Sequence, residues 1–333
     1  MSASAALPFA ILNAALKAAG EGTRLRILAL LAEAELTVSD LTEILRQSQP
    51  RISRHLKLLS EAGLVERFRE GSWAFFRLAE HGAGAEVLRA LIARLDAEDT
   101  TVARDRERLA SVRAARAAAA QTYFRRHAAE WDRIRKLHVA DDAVEAAIRA
   151  AVADRPVDAL LDLGTGTGRM LELFGPDIER GLGLDLSPDM LALARARLDR
   201  AGLRHCSVRQ GDIYDLALPK DSFDLVIIHQ VLHFLDDGAR AVREAARVLR
   251  PGGRLLVIDF APHDLEFLRE KHAHRRLGFA PETVTQWTEA AGLESVAHRT
   301  LPPEPGSESK IAVSLWLARD PRQVIAQSAR EVA

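Results

Sequence analysis

The chain has 333 residues, 48% of them hydrophobic and only 5% aromatic, with 46 Lys and Arg against 47 Asp and Glu and a formal net charge of −1. That length accommodates two domains with substantial cores, while the balanced charge excludes a globally basic nucleic-acid-binding surface, so any DNA contact must come from a local patch, doubled by dimerisation. The single cysteine, Cys206, excludes an intrachain disulfide and fits a reducing compartment, and the opening residues lack the long apolar core of a signal peptide or membrane span, so a cytoplasmic protein is expected.

Four short helical patterns come first. Pro8–Ala19 is apolar and starts at a proline. Thr23 precedes Leu25, Ile27, Leu28 and Leu31 at helical spacing, and Ser39 is placed to cap a helix carrying Leu41, Ile44 and Leu45. Ser48-Gln49-Pro50 then reads as a cap with proline in the first turn, opening a helix that ends at Gly63. On this helix Ile52, Leu56 and Leu59 share one face, and Gln49, Arg51, Ser53, Arg54 and Lys57 project elsewhere, with His55 among them. Two alternating runs, Leu64–Arg69 and Trp73–Leu78, flank the turn Glu70-Gly71-Ser72 and predict a hairpin. Helix-turn-helix plus hairpin is a winged helix, whose polar helix face would enter a major groove while Arg69, Ser72 and Arg77 touch backbone or minor groove. The competing reading of the cations is a solvated helix face.

Residues 10 to 80, and above all Thr23–Leu28 with Ser53–Val65, resemble the ArsR/SmtB repressor family. The resemblance implies a dimer that binds a double-stranded DNA operator. Metal sensors of that family carry two cysteines in an E-L-C-x-C-D-L run, where this chain has Glu35-Leu36-Thr37-Val38-Ser39-Asp40-Leu41. Hydroxyls are poor ligands for thiophilic metals, so no metal site is expected.

The boundaries read from the sequence are a winged helix over 8–80, a helical connector or dimerisation segment over 81–155, and a third unit over 156–318. In the connector, a helical run from Glu86 past Ala120 carries the stripe Leu88, Leu91, Ile92 and Leu95, which would pack on a partner or within the chain. Between Arg104 and Lys136, ten Lys and Arg face four acids, an excess of about +6 that reads as a solvated helix or as a second DNA-facing or acidic-partner surface. Tyr123, Phe124 and Trp131 are candidates for a pocket or for core packing.

From Ala159 onward, apolar strand candidates alternate with helices: Ala159–Leu163, Gly181–Asp185, Ser207–Gln210, Phe223–Ile228 and Arg254–Asp259, with late runs around Val296 and over Ile311–Leu317. The alternation predicts a Rossmann-like, doubly wound α/β sheet with a closing antiparallel pair, giving a two-domain chain of α+β winged helix and α/β sheet. The first strand leads into Gly164-Thr165-Gly166-Thr167-Gly168, and Asp185 ends the second. The dinucleotide fingerprint needs two residues between its second and third glycines, but only Thr167 stands there and Asp162 precedes the turn. A carboxylate beside the loop disfavours a pyrophosphate and suits a cationic sulfonium with an ammonium tail.

These motifs, with Asp212-Ile213, Phe223-Asp224-Leu225-Val226 and Leu249-Arg250-Pro251-Gly252-Gly253, resemble the class I S-adenosylmethionine (SAM) methyltransferases over 156–262, most of all the ubiquinone-biosynthesis type and the arsenite methyltransferases. The resemblance implies SAM as cofactor and S-adenosylhomocysteine as product or ligand. Gly164, Gly166 and Gly168 would admit the methionine part, Asp162 the amino group, Asp185 the ribose, and Met190, Asp212 and Ile213 the adenine, with Tyr123 over the cofactor. His229 and His233 are the candidates for acceptor contact, and His263, His272 and His274 are left without an assigned role. Arsenite needs several thiols, and Cys206 is alone. Two functions stay open: a DNA-binding regulator whose methyltransferase domain acts on an unidentified acceptor, or an idle sensor in which SAM or S-adenosylhomocysteine sets operator affinity.

Overall fold

The computed structural model describes residues 7–70, 73–79, 82–96, 98–128, 141–303 and 311–322. Ser72, Trp131 and the cations Arg133, Arg135 and Lys136 lie outside the described residues. The chain divides into two compact units, residues 1–118 and 119–333.

In the first unit, α1 (Phe9–Ala19), α2 (Gly22–Leu31), α3 (Val38–Leu45) and α4 (Gln49–Glu61) precede the hairpin β2 (Val65–Glu70) and β3 (Trp73–Leu78). A two-residue strand β1 (Leu36–Thr37), which the sequence reading lacked, adds to β3 and gives a three-stranded antiparallel sheet in the order β1-β3-β2. One core joins the elements: Ile27, Leu28, Leu41, Ile44, Ile52, Leu56, Leu59 and Phe76 are buried together. The expected winged helix is observed.

Two local expectations are corrected. Thr37, not Ser39, caps α3. Its hydroxyl accepts the Asp40 N–H at 3.2 Å while the Asp40 carboxylate accepts the Thr37 N–H at 2.9 Å, a reciprocal pair that Ser39, already inside the helix, is not placed to make. The run from Glu86 is two helices, α5 (Ala83–Ile92) and α6 (Thr100–His127). Asp99 explains the restart, since its carboxylate accepts the Thr101 N–H at 2.9 Å and the Val102 N–H at 3.3 Å.

The apolar stripe of α5 packs on its own chain: Leu88 is buried in the core, with Leu91 and Ile92 against it. Four arginines of α6 within this unit also reach the helix-turn-helix, and one of its acids takes Arg26 of α2. Arg26 makes a two-pronged pair with the buried carboxylate of Asp105, at 2.6 Å on each prong. Arg106 pairs with Glu33 and Arg116 with Asp40, while Arg108 donates to the Ile44 carbonyl at 3.2 Å and Arg113 to the Glu33 carbonyl at 2.8 Å. Part of the charge excess read from the sequence as a solvated or ligand-seeking face, Arg106, Arg108, Arg113 and Arg116, here fastens α6 to the helix-turn-helix, while Arg104 stays exposed.

The second unit holds α7 (Asp141–Ala151) and a seven-stranded sheet of β4 (Ala159–Leu163), β5 (Arg180–Asp185), β6 (Cys206–Gln210), β7 (Phe223–His229), β8 (Leu249–Phe260), β9 (Glu294–Leu301) and β10 (Val313–Arg319). The order is β6-β5-β4-β7-β8-β10-β9; β4 to β8 pair in parallel and β10 runs antiparallel to both its neighbours. Helices α8 (Arg169–Phe174), α9 (Pro188–Arg200), α10 (Gly238–Val248), α11 (Phe267–His272) and α12 (Pro281–Ala290) connect the strands. Both faces of the central strands β4, β7 and β8 are covered, which is why they read as unbroken apolar runs, while the edge strand β9 is exposed. Leu225, Ile227, Leu256 and Ile258 enter one core and Val226, Ile228, Leu255 and Val257 the other. No helix among the described residues is long and apolar enough to cross a membrane.

Candidate functional sites

The first candidate site is the exposed face of α4. Burying Ile52, Leu56 and Leu59 fixes the helix's rotation, so Gln49, Arg51, Ser53, Arg54 and Lys57 all stand exposed. His55 is half-buried behind them, its Nδ1 3.6 Å from the Glu21 carboxylate, and burial lowers its pKa. On the hairpin Arg69 is exposed. Arg77 is drawn into the sheet: it pairs with Glu66 at 3.0 Å and lies 5.5 Å above the Phe68 ring.

The second candidate site is built at the carboxyl ends of the parallel strands, where ligands of doubly wound sheets bind. After β4 the chain turns through Gly164, Gly166 and Gly168, with φ of 70°, 51° and 81°. A Cβ at Gly164 would fall 2.4 Å from Val231, and one at Gly168 would fall 3.1 Å from Ala194, so side chains are excluded on steric grounds as well as by the left-handed backbone. The Gly164 and Thr165 N–H groups donate to the Leu184 carbonyl at 2.8 and 2.9 Å, tying the loop to β5. Asp162 is buried and accepts the Thr165 hydroxyl at 2.6 Å.

Asp185 lies at the centre of this arrangement. One carboxylate oxygen accepts the Gly166 N–H and the other the Ser187 N–H, both at 2.8 Å. Burial raises its pKa above the ordinary carboxylate value, against the opposing pull of these and the Leu186 N–H groups. Ser187 caps α9 by accepting the Met190 N–H at 3.3 Å, and Met190 is buried. After β6, Asp212 is exposed and accepts the Tyr214 N–H at 2.9 Å, and Ile213 is buried.

The loop is braced from outside by charges that the sequence reading left unassigned. Arg169 makes a bidentate pair with Glu145 of α7 at 2.6 and 2.5 Å and a bond to Glu172 at 2.7 Å, which hold its pKa up. Arg197 of α9 donates to the Thr167 hydroxyl at 3.0 Å. The set fits a SAM molecule: a glycine-rich turn, one carboxylate beside it and another at the end of the next strand match an ammonium group and a ribose diol.

A third cluster lies beyond β7 and β8. His229 ends β7 and is half-buried; Gln230 follows in a left-handed conformation, φ 54°, a strained state for a non-glycine residue. A 3-10 turn over Leu232–Phe234 then carries His233, whose Nδ1 lies 2.7 Å from the Asp259 carboxylate; the two side chains are 2% and 0% exposed. Phe234 meets Phe124 at 4.8 Å between ring centres, and the Tyr123 hydroxyl lies 2.6 Å from His272 Nδ1. Burial pushes the Tyr123 phenol up to about 12. The sequence reading assigned no role to Asp259. The available signal was its position, since it ends a parallel strand as Asp185 does. Among the described residues no group of three or more His, Cys, Asp or Glu is set to hold a metal ion.

Residues 161–257 match the family described as methyltransferase domain, and residues 21–67 the family described as bacterial regulatory protein, arsR family. An uncharacterized methyltransferase of Bacillus subtilis, YcgJ, is 35% identical over 106 residues, 32% of this chain and 42% of that protein. An arsenite methyltransferase of Aquipseudomonas alcaligenes is 39% identical over 111 residues, 30% of this chain and 32% of that one. The chain thus spans less than half the length of either relative. Among solved structures, the N-methyltransferase NodS of Bradyrhizobium japonicum, in complex with S-adenosyl-L-homocysteine, shares the fold with a TM-score of 0.50 at 22% identity, covering 61% of this chain and 99% of that one.

Proposed function

From the premise that this chain joins an ArsR-family helix-turn-helix domain to a class I SAM-dependent methyltransferase domain, we propose that it is a cytoplasmic transcriptional regulator that binds duplex DNA as a homodimer and transfers a methyl group from SAM to an acceptor of its own. SAM supplies an activated methyl on a sulfonium, so the protein's part is alignment and, where the acceptor keeps its proton, a base. Gly164, Gly166 and Gly168 offer backbone to the methionine part, Asp162 backs the loop beside the amino group, and Asp185 accepts from the ribose. Met190, Asp212 and Ile213 are assigned to the adenine end. Gln49, Arg51, Ser53, Arg54, Lys57 and Arg69 are assigned to DNA, without Arg77, whose guanidinium is already committed.

The observation that carries the cofactor assignment is the Asp185 carboxylate fixed against the Gly166 N–H at 2.8 Å, with its remaining lone pairs available to a ribose. Arsenite is a poor acceptor here, although one relative is named for it, because Cys206 is the chain's only thiol. The test is calorimetry with SAM on the full chain, beside binding to a duplex enriched from a random library. Asp185→Ala is expected to abolish SAM binding and Arg54→Ala to weaken duplex binding by about 1–3 kcal/mol, each leaving the other ligand's affinity intact. A nicotinamide or flavin bound in place of SAM would refute the cofactor assignment. Repeating the DNA titration with saturating SAM or S-adenosylhomocysteine tests the sensor reading, which requires at least one of them to change duplex affinity from that of the ligand-free protein.

A further inference from the structure

We propose that His233 and Asp259 form the base of an acceptor site for an aromatic hydroxyl, a phenol-type compound; this rests on the methyltransferase reading above. Three observations converge. First, the pair is oriented. The Asp259 carboxylate accepts His233 Nδ1–H at 2.7 Å, the Phe260 N–H at 2.7 Å and the His233 N–H at 3.3 Å, so the acid is locked and Nε2 keeps the lone pair. Second, it sits at the carboxyl end of β8, on the turn whose Val231 packs against the Gly164 position of the cofactor loop. Third, the surroundings are flat rings: Phe234, Phe260 and His274 lie 4.0, 4.8 and 4.2 Å from the imidazole centre, and Phe260 and His274 are nearly coplanar in tilt, at 10°.

These features discriminate among acceptors. A neutral amine already has its lone pair and needs no base to attack. A carboxylate would face the buried Asp259 charge. A thiol-held metalloid would need cysteines, and Cys206 lies on the far edge strand β6, with β5, β4 and β7 between it and β8. An aliphatic alcohol is too weak an acid for imidazole, whereas a phenol is close enough in acidity for proton transfer and its ring stacks on the aromatic wall. The charged and titratable groups facing His233 are Asp259, His263 and His274. His263 is held neutral, its pKa lowered to about 4 by burial and by His233 and Arg269, so it does not compete for the proton.

In the step, the hydroxyl proton passes to Nε2 and the freed oxygen pair forms the new C–O bond as the C–S bond breaks, its electron pair leaving on sulfur. The imidazolium stays charge-paired with Asp259 and then releases its proton to water. His233 is the catalytic residue and Asp259 a positioning residue.

The test uses the full-length protein with catechol and benzylamine as probes. Long-range nitrogen–proton NMR should show the Nδ1–H tautomer at His233 in the wild type and its loss in Asp259→Asn, before any turnover. With methyl-labelled SAM, catechol should be labelled and benzylamine not. Asp259→Asn should lower kcat by about a hundredfold with KM for catechol and SAM affinity little changed, and Asp259→Glu should recover part of the rate. The residual rate of His233→Gln should climb with pH as catechol ionises unaided. Normal SAM binding with no labelling of catechol, or equal rates and pH profiles in wild type and Asp259→Asn, overturns the proposal alone. Failure to bind SAM at all would instead sink the cofactor reading beneath it.

Discussion

At Asp185 burial and hydrogen bonding pull in opposite directions, and burial prevails: the carboxyl titrates above its ordinary value although three backbone N–H groups favour the anion. A ribose diol needs the anion as its acceptor. SAM affinity is therefore expected to fall as the pH drops through this raised value, in a window where an ordinary aspartate would still be charged. The folded chain takes up this proton more readily than the unfolded chain does, so protonating Asp185 does not itself oppose folding, and the loss of affinity is separable from acid unfolding. Calorimetry across that window, with circular dichroism as control, checks it; an affinity flat to the onset of unfolding would contradict the role.

Helix α6 shows how an element's composition misleads when its partners are distant in sequence. Four of its arginines look like an unspent positive stripe, yet Glu33, Asp40 and two carbonyls of the helix-turn-helix answer Arg106, Arg116, Arg108 and Arg113, and its own Asp105 answers Arg26 of α2. Asp40 is shared, since the same carboxylate closes the capping box of α3. Breaking the Arg26–Asp105 pair leaves a guanidinium half in the core without its fork partner. Asp105→Asn is expected to cost about 2–3 kcal/mol, read as faster hydrogen exchange over α2 and α6 with SAM affinity unchanged. Loss confined to α6, or none at all, would show that packing of Leu109 and Val112 suffices.

Among the described residues of the first unit, α1 leaves an apolar face exposed. Phe9, Leu12 and Leu16 of α1 are 83%, 37% and 47% exposed, while the opposite side of the same helix buries Ala15, Ala18 and Ala19. A contiguous apolar stripe of this kind is costly in water and is covered by association. We therefore expect Leu16→Glu to shift the protein from dimer to monomer in sedimentation and to weaken duplex binding sharply, with SAM binding retained. A monomeric wild type at micromolar concentration would remove the dimer from the proposal.

The sequence by itself determined the local periodicities and the turns that interrupt them. Winged helix, doubly wound sheet and cofactor loop were all legible, because apolar spacing, glycine punctuation and strand-end acids are short-range signals. The tertiary structure alone decided which charges are spent and which remain. Arg77 and four of the α6 arginines are committed to carboxylates, an aromatic ring or carbonyls distant in sequence, and Arg54 is left exposed. His233, a candidate beside His229 from its spacing alone, was set apart from it only when folding placed β8 beside β7 and brought Asp259 to its ring. Pairings across tens of residues leave no periodic trace, since what fixes them is the register of strands and the burial that strips water from the partners.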